Sequence, residues 1–170
     1  HRDLHSFPTR RSSDLNEAVA ASERDTSDRN RSLGYFLRSV EAMDGDVENI
    51  LDSYFRQCAI ECSVEDLAAM GATLACGGVN PLTGEQVFSE RTALILRALM
   101  MTCGLYDGSG DFAVRVGFPA KSGVGGGIMG SVPARAGVAV LGPALDKRGN
   151  SIGGVRTLEM LSESLFLRVL

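Results

Sequence analysis

The sequence predicts an α/β chain in which the helices come first and the strands late. Two observations carry that reading. Apolar residues recur at three- and four-residue spacing from residue 33 onward, and two short Gly- and Val-rich segments appear only after residue 124. No internal repeat or low-complexity linker divides the chain, and 44% hydrophobic residues in 170 suffice to bury one core. One α/β half-domain is the economical description.

The elements follow in order. Leu33, Phe36, Leu37, Val40 and Met43 keep helical spacing until Asp44, Gly45 and Asp46 interrupt it. Val47, Ile50, Leu51, Tyr54, Phe55 and Cys58 form the apolar stripe of a second amphipathic helix. Ser63, with Asp66 three residues later, resembles a capping box and opens a helix through Leu67, Met70 and Leu74. A loop at 77–81 follows. Ser89 and Glu90 cap a helix over 93–103 that is apolar on most faces, which predicts burial, and Gly104 stops it. After residues 107–111 a short helix runs to about Val116. Segments 125–133 and 137–144 read as strands, and 146–150 as a turn. The last helix offers Val155, Leu158, Leu161 and Leu165 to the core.

Charge and composition exclude several functions. A formal charge of -4 leaves no basic footprint for nucleic acid. The longest apolar run, 93–101, is interrupted by Arg97 and is far too short to span a membrane. The first residues carry charges where a signal peptide needs an apolar stretch. Cys58, Cys62, Cys76 and Cys103 show no CxxC spacing, which predicts reduced thiols packed as small hydrophobes in a cytoplasmic protein.

Residues 1–15, HRDLHSFPTRRSSDL, have no periodicity and hold three arginines in an acidic chain. This segment is identified as the translation of a common DNA-sequencing adapter, which gives it residue for residue. It is therefore expected to be a non-native tail, against the alternative of a basic tail for an acidic partner. Both histidines, His1 and His5, lie in it, so residues 16–170 offer no histidine base or metal ligand. Without its three arginines and two aspartates the charge becomes -5. The native frame is then expected to begin partway through a longer protein.

Three motifs look chemical. Residues 125–130 fit GxGxxG, but a dinucleotide loop needs a helix after it, and strand-like sequence follows here. Asp107, Ser109 and Asp111 resemble the start of a calcium loop. Its sixth and twelfth positions hold Phe112 and Phe118 instead of Gly and Glu, so no metal is expected. Lys121-Ser122-Gly123 resembles the KTG-type triad of penicillin-recognising serine enzymes, whose strand edge lends a backbone N–H to an oxyanion hole. A surface turn is the alternative. The partner motif would be S-x-x-K, in which lysine activates serine. The only lysines are Lys121 and Lys147, preceded at three residues by Phe118 and Ala144, so the chain has no S-x-x-K.

Taken together, Ser22-Glu23, Asp28-Arg29-Asn30-Arg31, Tyr54 with Cys58, the segment GLYDGSG at 104–110 and FPAKSGVGGG at 118–127 resemble the serine-dependent glutaminases. The likeness runs in order over residues 16–170. It implies a β-lactamase/DD-peptidase-like three-layer α/β fold, incomplete because only the C-terminal half is present. It also implies hydrolysis of L-glutamine to L-glutamate and ammonia without a cofactor, and a homo-oligomer at full length. The resemblance places the Ser-Lys pair upstream of this chain and implies that the chain alone is inactive. Carried onto matching positions, it makes Glu23 the partner of the substrate ammonium and Asn30 a substrate hydrogen-bonder, where Asn30 alone reads as a helix N-cap. Tyr54 and Tyr106 would line the cleft, one of them relaying the leaving-group proton, although Tyr54 alone reads as a core tyrosine. Val124 would lend its N–H to the oxyanion hole. The alternatives are a related serine acylase with another amide substrate, or a non-catalytic amino-acid-binding or interaction module beginning near Asn16.

Overall fold

In the computed structural model, which describes residues 15–170, polar side chains start five of the seven helices. Asn16 caps α1 (Glu17–Thr26), Asp46 caps α3 (Val47–Cys58), Ser63 caps α4 (Val64–Ala75), Ser89 caps α5 (Glu90–Cys103) and Ser151 caps α7 (Ile152–Leu165). Each side-chain oxygen accepts from an N–H that the helix cannot satisfy internally. The capping box read at Ser63 and Asp66 is present in full. Helices α2 (Asp28–Ser39) and α6 (Ser109–Arg115) start without such a bond. The described residues form two units, 15–62 and Ser63–Leu170.

In residues 15–62 the core is small: Val47, Leu51 and Phe55 of α3, with Met43 packed against them. Helix α2 meets α3 at Gly34, where a Cβ would lie 2.8 Å from Val47 Cγ1. Both helices form where the spacing predicts them, with α2 ending at Ser39, and much of their apolar surface is uncovered. Leu33, Phe36, Leu37 and Val40 are exposed, because α2 turns its glycine rather than its apolar row toward α3. On α3, Ile50, Tyr54 and Cys58 are also exposed, so only half of the apolar stripe is core.

In Ser63–Leu170 a three-stranded antiparallel sheet of order β1-β2-β3 is built from Ala120–Ser122, Gly127–Val132 and Ala136–Leu141. The pairs Lys121–Met129 and Met129–Ala139 set its register. Strand β1 was not anticipated, and the two expected strands are shorter than the sequence suggests. Side chains alternate across β2. Ile128 and Val132 join Leu105, Phe112, Val116, Phe118 and Leu158 in the main core, while Met129 packs with Leu74, Ala93 and Met100. Helices thus lie on both faces. Helix α4 sits flush on β2 and β3 because glycines leave room: a Cβ at Gly71 would lie 2.2 Å from the Gly130 carbonyl oxygen, and one at Gly137 would lie 2.0 Å from that of Ala68.

Three further readings change. Helix α5 is not buried: it contacts α4, α6 and β1, and these cover only Ala93 and Met100, leaving Leu94, Ile95 and Leu99 exposed. Leu165 of α7 is likewise exposed, since the helix ends there, while Leu158 is fully buried. All four cysteines are exposed, because Cys58 and Cys103 end helices, Cys76 follows one and Cys62 lies between two. Gly104 does end α5, but in a right-handed conformation. What excludes a side chain is β1, whose Ala120 carbonyl oxygen would lie 1.8 Å from a Cβ.

Candidate active site

In residues 15–62, Glu23 is half-buried near the end of α1, where the helix carbonyls add negative potential. Its carboxylate accepts a 3.5 Å hydrogen bond from the Ser27 hydroxyl. Ser27 is the single non-helical residue between α1 and α2, and Asn30 follows in the first turn of α2. The N-cap reading of Asn30 is thereby corrected: Ser27 occupies that position, and its carbonyl accepts from the Arg31 N–H at 3.0 Å. Tyr54 is 47% exposed on α3, with its ring edge-on to Phe55 at 6.0 Å, so it is not a core tyrosine. An Arg24–Asp52 ion pair ties α1 to α3, and the Asp52 carboxylate raises the pKa of the Arg24 guanidinium.

In Ser63–Leu170, Tyr106 begins a short 3₁₀ turn, Tyr106–Gly108, with φ of +56°, a conformation that non-glycine residues rarely adopt. Its ring is partly exposed, and Lys121 Nζ lies 5.0 Å from the ring centroid, at cation–π distance. Val124 sits in the turn between β1 and β2, which is closed by Gly123 N–H to Gly127 O at 2.9 Å and Gly126 N–H to Gly123 O at 3.0 Å. The Val124 side chain is exposed, and no described residue accepts from its N–H. Gly149 brings Tyr106 and Val124 together: a Cβ there would lie 3.6 Å from Tyr106 Cε2 and 3.7 Å from Val124 Cγ1.

The other motifs have structural explanations. Asp111 and Asp107 face Arg148, at 2.6 and 3.7 Å, and the Arg148 hydrogen bond holds the Asp111 carboxyl below the ordinary range. In the GxGxxG segment, Gly130 is small because Phe118 Cε2 would lie 2.5 Å from a Cβ. Sequence reasoning missed Ser122 and Asn150, two buried polar residues joined by a 2.6 Å hydrogen bond. The Lys-Ser-Gly motif drew attention to its lysine, and Asn150 read only as part of a turn.

A family model described as Glutaminase matches residues 2–169. The chain belongs to the glutaminase family. Among curated glutaminases, that of Clostridium tetani is 54% identical over 155 residues, which is 91% of this chain and 51% of the relative. Glutaminase 2 of Clostridium perfringens is 52% identical, with the same two shares. The chain spans about half the length of the curated glutaminases it matches. A Bacillus subtilis glutaminase in covalent complex with 5-oxo-L-norleucine, formed by reaction with 6-diazo-5-oxo-L-norleucine, superposes with a TM-score of 0.88 and 41% identity. The match covers 92% of this chain and 56% of that one. The structure of Mglu in its glutamate form gives a TM-score of 0.88 and 42% identity, over 92% of this chain and 36% of that one. The helices and small antiparallel sheet described above are thus a glutaminase fold. Among the described residues, no helix is long and apolar enough to cross a membrane.

Proposed function

We propose that this chain is the substrate-binding part of an enzyme that hydrolyses L-glutamine to L-glutamate and ammonia. The observation that carries the reading is the 54% identity to a curated glutaminase across 91% of the chain. The covalent norleucine complex of a similar glutaminase supports an enzyme nucleophile acting on a glutamine-like substrate. In this scheme a serine hydroxyl attacks the side-chain amide carbon while a lysine takes its proton. The C–N bond breaks, ammonia leaves with a proton relayed by a tyrosine, and water then releases glutamate. The serine and lysine belong to an S-x-x-K motif, which the 170 residues do not contain.

Glu23 then holds the substrate ammonium, Asn30 hydrogen-bonds the amino-acid end, and Tyr54 and Tyr106 line the cleft. The Val124 N–H, which no described residue occupies, donates to the oxyanion. Residues 1–15 act as a non-native tail in this reading; residues 1–14 lie outside the described residues, and Leu15 pairs with Ile60 in an isolated bridge. The working enzyme is cytoplasmic and homo-oligomeric, and needs no cofactor.

The test joins the N-terminal half of the Clostridium tetani glutaminase to residue 16 of this chain. The chimera should release ammonia from L-glutamine, and Tyr106→Phe should lower kcat/KM about a hundredfold. The chain alone should release none; ammonia release abolished by Glu23→Ala would overturn its inactivity. A folded chimera that binds glutamate but never releases ammonia would favour the non-catalytic binding module.

A further inference from the structure

Tyr106 carries an exposed ring on a backbone that L-residues avoid, so its position has to be imposed by its surroundings. The surroundings are a buried polar chain. The Leu105 N–H donates to Ser109 Oγ at 3.0 Å, and the Ser109 hydroxyl donates to the Tyr106 carbonyl at 2.8 Å. The Leu105 carbonyl accepts from Asn150 Nδ2 at 3.2 Å, and Asn150 Oδ1 accepts from the Ser122 hydroxyl at 2.6 Å. Leu105, Ser109, Ser122 and Asn150 are each at most 4% exposed. A carbonyl cannot donate, so only one orientation of the Asn150 amide satisfies both neighbours.

Asn150 therefore joins three segments distant in sequence: the turn at 146–150, strand β1 and the Tyr106 loop. Its own turn is rigid, because Asp146 Oδ1 accepts from the N–H groups of Arg148 and Asn150, each at 2.9 Å, and the Asp146 N–H donates to the Asn150 carbonyl at 2.8 Å. Gly149, one residue before, is the backbone against which both Tyr106 and Val124 rest. Ser122 and Lys121 point to opposite sides of β1, so one strand holds the root of Tyr106 through Ser122 and its ring through Lys121.

We propose that Asn150, with Ser122, is a positioning residue that sets Tyr106 against Val124, and so places the proton-relaying phenol beside the oxyanion donor. This rests on the glutaminase reading of Tyr106 and Val124. Losing either side chain leaves buried polar partners unsatisfied and lets the left-handed turn relax.

The test uses the full chain. It has no tryptophan and only three tyrosines, so Tyr35→Phe with Tyr54→Phe leaves Tyr106 as its one tyrosine. With fluorotyrosine incorporated, fluorine NMR then reports a single resonance. Asn150→Ala and Ser122→Ala should each shift and broaden it, and Ser122→Thr, which keeps the hydroxyl, should restore it. Arg148→Ala, which removes the exposed ion pairs to Asp107 and Asp111 but keeps the Ser122–Asn150 hydrogen bond, should move it far less. An unmoved resonance in a folded Asn150→Ala chain overturns the proposal. If that variant does not fold, Ser122→Ala and its Ser122→Thr rescue decide in the same way. In the active chimera, Asn150→Ala should lower kcat about tenfold with little change in KM. A chimera inactive from the start would sink the glutaminase reading, while the resonance would still decide whether Asn150 positions Tyr106.

Discussion

On one face of the sheet, Ile128 and Val132 are fully buried against Phe118 and Leu158. On the other, Met129 borders an apolar groove of about 500 Å³ lined by Met70, Leu74, Leu96, Leu99 and Met100. Helices α7 and α5 belong to these two faces, and both are 14 residues long with a serine N-cap. Yet α7 buries Gly154, Leu158 and Ser162, whereas α5 buries only Ala93 and Met100. The lesson is that apolar periodicity states which side chains favour burial. Whether a neighbour covers them depends on elements that the helix's own sequence does not describe.

The largest effect should come from removing the contact that seats α4 on the sheet. In Gly137→Ala, the new Cβ lands 2.0 Å from the Ala68 oxygen and 2.1 Å from the Ala72 nitrogen, both backbone atoms of α4. The expected cost exceeds about 4 kcal/mol, with cooperative melting lost. Normal melting would show that α4 is not seated as described.

A paired measurement sharpens the contrast between faces. Leu158→Ala should cost about 3 kcal/mol in urea unfolding, while Leu99→Ala, at 52% exposed, should change stability by less than about 0.5 kcal/mol. Equal losses would mean that α5 is covered after all.

The smallest effect concerns acid. Hydrogen bonds from Arg115, then from Arg156, lower the Glu159 pKa from 4.5 to about 2. The folded carboxyl is the stronger acid, so its stabilisation is complete above pH 4.5 and is lost as pH falls toward about 2. Glu159→Gln should flatten the fall of Tm across that window, and an unchanged acid limb would remove this pair from the account.

Much of the fold was legible because its signals are local. Ser63 and Ser89 cap the helices they were expected to cap, since a cap is written within four residues. Strand β1 was not legible: Ala120, Lys121 and Ser122 include no β-branched or aromatic residue, and the pairing with β2 alone makes them a strand. Burial of α5 was misjudged because spacing is blind to missing cover. At the site, Tyr106 stood out in its glycine-bounded loop. The Ser122–Asn150 bond joins residues 28 positions apart, and no local pattern announces such a pair.

Ser27 has a consequence for how an amino acid would be gripped. Glu23 and Asn30 are seven residues apart, so one unbroken helix would stack them on the same stripe, about 10 Å apart along its axis. The interruption at Ser27, with φ of -94° and ψ of 46°, replaces that fixed ladder with a joint. The span between the two side chains is thus set by the torsion of a single serine, and the Glu23 carboxylate accepts that serine's hydroxyl.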